Sequence, residues 1–408
     1  MRVVHFSTTD WNEESAIAAY RLHAALCRYG VDSHMLVRDK VLTDLSIWTV
    51  RPLDRRKIQW GNWWHEGKLT QTERFYDMRL DRSGIDPLSY PIVRNSDIYI
   101  VHDNGGGYIG TQAIERLLKT GKPVLLYLHD LALITGGCRV QLDCPSFTNR
   151  CAYCPAGGGS WAEKAASRKH QVYHRYPNLH ILAGSEWLRQ QVQQSWVGEN
   201  LKVEVLPYPL DTQLYAVHQR QYTRWMFGIP KKAKCLLFKL DRFMGVQEME
   251  RLRNALCEHP LLDWTLVVVS DGHLSASQIP VRCKRVIELH RTYDEATLAA
   301  LLNAVDLTLL PSLSDGLGPL AVESICCGTP VVGFDSCGLS DWVQEGVNGY
   351  LATASSLQDL SSVRLADAIQ RATHHLLSTE ERTAIAGSLS ARVGYEQVIP
   401  PFIKQLES

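Results

Sequence analysis

Short apolar runs alternate with amphipathic stretches along almost the whole chain, and this alternation is the tightest constraint on its fold. Candidate strands are RVVHF (2–6), SHMLV (33–37), DIYIV (97–101), PVLLYL (123–128), HILAG (180–184), KVEVL (202–206), CLLFK (235–239), WTLVVV (264–269), LTLLP (307–311) and PVVGF (330–334). Helical stretches lie between them at 14–28, 111–120, 185–195, 246–258, 294–304 and 319–327. Continuous apolar strands separated by helices bury both strand faces, which predicts parallel sheets covered on each side.

The pattern restarts after a proline-containing passage, VLPYPLDTQLY (205–215), that has no periodicity. We expect an α/β chain of two Rossmann-like domains in tandem with an interdomain cleft: 1–205, a linker at 206–212, then 213–385. Residues 386–408, with VIPPFIKQLES, read as a helical tail with a proline break, expected to pack back on the first domain. The length of 408 residues agrees with two or three domains at roughly 100–200 residues each. Lys+Arg and Asp+Glu are equal at 43 each, so no global basic field points to nucleic acid. No apolar run approaches the about 18 residues of a membrane span, and MRVVHFSTTD reads as a first strand rather than a signal peptide. The expected place is the cytoplasm, where eleven cysteines would pack or bind metal rather than pair.

In open α/β sheets, ligands bind beyond the carboxyl ends of the strands. After LTLLP comes SDGLGPLAVES (314–324), with Asp315 and Glu323 seven residues apart around a glycine-rich turn. Pro319 suits a first helical turn, whose amides and dipole make an anion site. Gly316 and Gly318 let backbone approach a phosphate. Glu323, about one turn into the helix, could accept two ribose hydroxyls. A turn aspartate and a solvated helix glutamate remain the plainer alternative. The strand PVLLYL ends at His129-Asp130; a histidine there can position a sugar, or simply be packed. Cys138, Cys144, Cys151 and Cys154 follow as C-x5-C-x6-C-x2-C. Only the last pair has the close spacing of structural zinc, yet four thiolates could close a tetrahedral site. Small buried cysteines are the alternative.

The block from Pro311-Ser312 through Asp315, Glu323, Gly328-Thr329-Pro330-Val331-Val332 and Gly338 to Asp341 resembles the C-terminal signature of family 4 retaining glycosyltransferases, of GT-B architecture. The resemblance extends loosely over most of the chain. It implies transfer of a sugar from a nucleoside-diphosphate donor to a hydroxyl acceptor, such as a glycan or lipid-linked one, in polysaccharide or glycan biosynthesis. Glu323 would hold the ribose and Asp315 the donor sugar; Gly316, Leu317, Gly318 and Leu320 would line the diphosphate. His129, in its His-Asp-x-x-x-x-Thr-Gly-Gly-Cys setting, looks like the family's active-site histidine. No metal is required for catalysis in this class; any zinc on the cysteines would be structural.

Two departures stand out. Glu13-Glu14 fall where the family has a glycine pair, and Met244-Gly245 stand where it has a Lys-Gly that neutralises the diphosphate. Lys239, at the family's arginine position, and Arg242 are the nearby cations. Asp10 or Ser15 is expected to cap the helix after the first strand, with the two acids facing solvent. The departures keep open a catalytically weakened or regulatory relative; a sugar-nucleotide epimerase shares the architecture. Finally, RPLDRRKIQWGNWWHEGK (51–68) mixes six basic residues, His65 included, with Trp60, Trp63 and Trp64. A peripheral membrane surface, an acceptor groove and a packed insertion all fit it.

Overall fold

The computed structural model describes the chain except at residues 67–80, 82–83, 103–106, 140–143, 156–158, 241–245, 271–281, 291–293, 312–318, 354–360 and 408; for 64–66 and 246–248 it describes the backbone alone. Two compact units emerge, Met1–Pro209 with Glu396–Ser408, and Leu210–Tyr395.

Unit 1 is built on β1 (Arg2–Thr9), β2 (Asp32–Asp39), β3 (Ile47–Thr49), β4 (Ile98–Val101), β5 (Val124–Leu128), β6 (Leu179–Ala183) and β7 (Val203–Val205). Every pairing among them is parallel, in the order β3-β2-β1-β4-β5-β6-β7. The chain leaves β1 in one direction and returns beside it as β4, so the order reverses there. In open α/β sheets, ligands bind at the carboxyl ends beside such a reversal. Four pairs stand opposite each other in this step, His5 with Ile100 among them.

Unit 2 repeats the plan with β8 (Lys234–Leu240), β9 (Leu261–Ser270), β10 (Cys283–His290), β11 (Leu307–Leu310), β12 (Val331–Phe334) and β13 (Gly349–Ala352). Its order is β10-β9-β8-β11-β12-β13, again parallel throughout, with the reversal between β8 and β11. Three strands escaped the sequence reading. β3 and β13 are only three and four residues long. β10 is an edge strand whose Lys284, Arg285 and Glu288 are exposed, so it lacks the apolar run of a buried strand.

A polar pin sits inside the second unit. Arg382 is 5% exposed and donates to the carbonyls of Val305, Asn303 and Cys327 and to Thr329 Oγ1 at 2.9 Å. It thereby ties the helix Thr379–Val393 to the carboxyl end of the helix Leu320–Cys326. Gly328, at φ +72°, makes the turn beside it; a Cβ there would meet the Arg382 carbonyl oxygen at 2.8 Å.

The tail corrects an expectation. The helix Tyr395–Glu407 runs through Pro400 and Pro401 without a break. Two prolines remove two amide donors, but the carbonyls they would have served belong to the exposed Glu396 and Gln397, where water can take them. Val398, Ile399 and Phe402 are buried and hold the helix in place. The first helix, Glu14–Arg28, is a second correction. Glu13 occupies its N-cap position without a side-chain cap. Asp10 does not cap it but turns to the next loop, accepting from the amides of Val41 at 2.7 Å and Leu42 at 2.9 Å. Glu13 and Glu14 are half-buried rather than fully solvent-facing.

Candidate functional site

Unit 1 carries a continuous line of hydrogen bonds between side chains, running across its sheet. At one end the half-buried Asp44 accepts at a single oxygen from the Ser46 amide at 2.8 Å and the Ser46 hydroxyl at 2.5 Å. Ser46 Oγ meets His23 Nε2 at 2.8 Å, and His23 Nδ1 meets Ser33 Oγ at 2.8 Å. Ser33 Oγ meets His5 Nε2 at 3.1 Å, His5 Nδ1 meets His102 Nε2 at 2.8 Å, and His102 Nδ1 meets His129 Nε2 at 2.9 Å. Ser33, His5, His102 and His129 come from β2, β1, and the residues that follow β4 and β5, so the line steps from strand to strand toward the carboxyl ends. The rings also stack: His5 on His102 at 5.1 Å, His102 on His129 at 5.2 Å, and His129 on Tyr208 at 5.3 Å.

All four histidines are buried. Burial, aided by the neighbouring His23, holds His5 far below its ordinary range. Burial does the same to His102, helped by His5, His129 and His23. Burial takes His23 down to about 4, partly resisted by Asp44 and assisted by His34. Desolvation wins because the cost of a buried cation exceeds its attraction to one half-exposed carboxylate.

The loop after His129 is fixed from three sides. Asp130 accepts from the Ala132 amide at 2.8 Å and from Arg139 Nε at 2.7 Å. Lys169, fully buried, reaches under the loop to the carbonyls of Ala132 at 2.6 Å and Thr135 at 2.9 Å. Gly136 has to be glycine, since a Cβ would lie 2.7 Å from the Ala162 carbonyl oxygen. Its amide donates to the Cys151 sulfur at 3.2 Å. The Cys138 thiol is pushed up by its hydrogen bond to Cys154, by burial, and by the charges of Cys154, Cys151 and Cys144, so the four cysteines share one neighbourhood. Among the described residues, which include all eleven cysteines, no disulfide forms. Among the same residues, no three histidine, cysteine or acidic side chains are arranged to hold a metal ion.

In unit 2, Glu323 is 3% exposed and lies in the first turn of the helix Leu320–Cys326, which Pro319 opens. Ser324 beside it anchors the helix to the sheet, donating to Thr308 Oγ1 at 2.8 Å. Lys239 is half-buried near the end of β8. Phe238 pairs with Leu309, so Lys239, still within β8, and Pro311, just past β11, lie near adjacent carboxyl ends beside the reversal of strand order. Leu320 is half-buried. Asp315, Gly316, Leu317, Gly318, Arg242 and Met244 lie outside the described residues, as do Asp103 and Asn104 of the DIYIVHDNGGG passage. The sequence reading named His129, Glu323, Lys239 and the cysteines but not His5, His23, His102 or Lys169. A histidine in the middle of the apolar run RVVHF and another directly after DIYIV were the signals available.

Residues 244–375 match the family model described as glycosyl transferases group 1. This segment is similar to the glycosyl transferases group 1. Curated relatives include the D-inositol 3-phosphate glycosyltransferase of Nocardiopsis dassonvillei, 26% identical over 196 residues, which cover 45% of this chain and 46% of that one. The D-inositol 3-phosphate glycosyltransferase 2 of Catenulispora acidiphila is 24% identical over 293 residues, covering 66% and 64%. The chain thus spans about half to two thirds of these relatives' lengths. Among solved structures, sucrose-phosphate synthase from Thermosynechococcus elongatus matches with a TM-score of 0.66 at 14% identity, covering 100% of this chain and 99% of that one. Anabaena Alr3699/HepE in complex with UDP matches at 0.62 and 16%, covering 100% of each. These likenesses show the fold: two Rossmann-like units in tandem, as in the GT-B glycosyltransferases. Both the group 1 segment and its Glu323 lie in unit 2.

The neutral histidines make stability depend on pH. The unfolded chain takes up a proton at His23 near the ordinary 6.5, while the folded chain refuses it until about 4. Acidification therefore favours the unfolded state across that window. We expect the melting temperature to fall as pH drops from about 6.5 to about 4, with His23 alone costing about 3 kcal/mol at the lower end. His23→Gln should flatten that slope in a thermal-unfolding series; an unchanged slope would refute the assignment.

Proposed function

We propose that the protein transfers a sugar from a nucleoside-diphosphate sugar to a hydroxyl acceptor with retention at the anomeric carbon. The observation that carries this reading is Glu323, a buried carboxylate in the first turn of the helix that follows β11, at the reversal of strand order. A carboxylate accepts hydrogen bonds at both oxygens, which suits a pair of ribose hydroxyls. The helix start and the glycines 316 and 318 suit the diphosphate, and Asp315 the donor sugar. Lys239, with Arg242, supplies positive charge toward the leaving diphosphate in place of the family's lysine. The group 1 match over 244–375 supports the reading, as does a fold shared with a protein solved with UDP and glucose. No metal is needed for this step, because the work is charge stabilisation and positioning. A role in polysaccharide or glycan assembly follows from the acceptor class. Its setting would be cytoplasmic and membrane-peripheral: Leu53, Trp60 and Trp63 of the helix Pro52–Glu66 are each 70% exposed, among the exposed Arg55, Arg56 and Lys57. Among the described residues, no helix is long and apolar enough to cross a membrane.

A second reading, a binding protein with weakened catalysis, is favoured by one observation, Met244 at the position of the family's lysine. Glu323→Ala tests the donor seat that both readings share. Calorimetric titration with UDP and GDP should show the tighter nucleotide losing at least about tenfold in affinity, about 1.4 kcal/mol. Equal affinity in the variant would remove the seat from unit 2.

We propose in addition a structural zinc on Cys138, Cys144, Cys151 and Cys154. Their shared neighbourhood and the C-x2-C pair support it; the four are not arranged around an ion in this structure and would have to close on one, giving up thiol protons that the Cys138–Cys154 bond and burial now retain. Elemental analysis of reduced protein should find one zinc per chain, lost in Cys151→Ser. Metal-free wild-type protein would end the proposal.

A further inference from the structure

The line of hydrogen bonds in unit 1 has a direction, and one residue sets it. An ionised carboxylate only accepts. Burial raises the Asp44 pKa, but the Ser46 bonds, His23 and the Tyr20 bond together bring it below the ordinary carboxylate value, so it is ionised at neutral pH. The Ser46 hydroxyl spends its only proton on Asp44 and must accept from His23 Nε2–H. Neutral His23 then has a lone pair on Nδ1, which accepts the Ser33 hydroxyl proton. Ser33 accepts from His5 Nε2–H. His5 Nδ1 accepts from His102 Nε2–H, and His102 Nδ1 accepts from His129 Nε2–H. His23, His5 and His102, kept neutral by burial, carry one proton each, so every link as far as the His129 Nε2–H follows from the one before it.

We propose that Asp44 sets the tautomer of His129 through Ser46, His23, Ser33, His5 and His102, so that the proton of the His129 ring sits on Nε2 and its buried Nδ1 carries none. His5, His23 and His102 are positioning residues. They lock the ring by stacking and hydrogen bonding and choose which nitrogen holds the proton. Other groups border the line without changing its polarity. Tyr20 donates to the second Asp44 oxygen at 3.5 Å, which again uses the carboxylate as acceptor. The Cys27 sulfur lies 3.9 Å from His23 Nδ1 and 3.6 Å from the Ser33 carbonyl oxygen, and both are acceptors here. The tautomer stands apart from the glycosyl-transfer reading and does not rest on it.

The test reads the ring nitrogens of the full chain without substrate. Protein labelled with 15N-histidine is examined at neutral pH by long-range proton–nitrogen correlation, with His129→Gln assigning the signal. Wild-type His129 should have a protonated Nε2 and an unprotonated Nδ1. Asp44→Lys puts a donor where the acceptor was, so each link should reverse and Nδ1–H should become the major form of His129. Asp44→Asn, a milder change in shape, should raise the Nδ1–H share above wild type. A wild-type ring protonated at Nδ1 would overturn the proposal. So would a His129 tautomer identical to wild type in whichever of the two variants folds.

Discussion

The hydrogen-bonded line from Asp44 to His129 is the constraint on which the first unit's chemistry depends. A parallel sheet with helices on both faces leaves its strands without access to water, so any polar side chain there needs a protein partner. This chain places His5 in β1, and His102 and His129 directly after β4 and β5. Each pays its desolvation by bonding to the next, and the last bond in the series is anchored on a carboxylate near the surface. The result is one ring, His129, held at the carboxyl end of its strand with its orientation fixed by His102 and Tyr208. Preorganisation of this kind avoids reorganisation during reaction.

The second unit solves a different problem with similar means. Its helix Leu320–Cys326 is only two turns long and gains its position from the surroundings. Ser324 fastens it to β11, and Arg382 fastens the turn that follows to a neighbouring helix. Burial pushes the Cys326 thiol up to about 12, and nearby Glu323 adds to it, so the sulfur is neutral where an extra anion would be costly. Glu323 is thus the acid held between a rigid helix and the sheet, at the point where strand order reverses.

Much of this was legible in the sequence. Ten apolar runs each became a strand, because a buried parallel strand must be apolar on both faces. The edge strand β10 was not legible, since its exposed charges erase the run. The helix Gly159–Arg175 was missed for a related reason: it is rich in Lys, His and Arg, yet it delivers Lys169 to the loop carbonyls. The proline pair in the last helix read as a break because sequence does not reveal that the orphaned carbonyls face water. The places of His129 directly after β5 and of Glu323 in the helix after β11 were legible, because each follows a buried strand. The partners of His129 were not, because a histidine line depends on register between strands far apart in sequence, such as Val4 opposite His34 and Phe6 opposite Val101. Lone histidines in apolar runs look like packing until that register is known.

The central proposal is sugar transfer from a nucleoside-diphosphate sugar, with Glu323 proposed to seat the nucleotide and His129 proposed to take part. The most direct measurement is release of nucleoside diphosphate from UDP-glucose, UDP-N-acetylglucosamine and GDP-mannose by wild-type protein and by His129→Ala. The account predicts release from at least one donor by wild type, falling at least about tenfold in the variant while nucleotide binding persists. No release from any donor by wild type, or equal release by the variant, would contradict it.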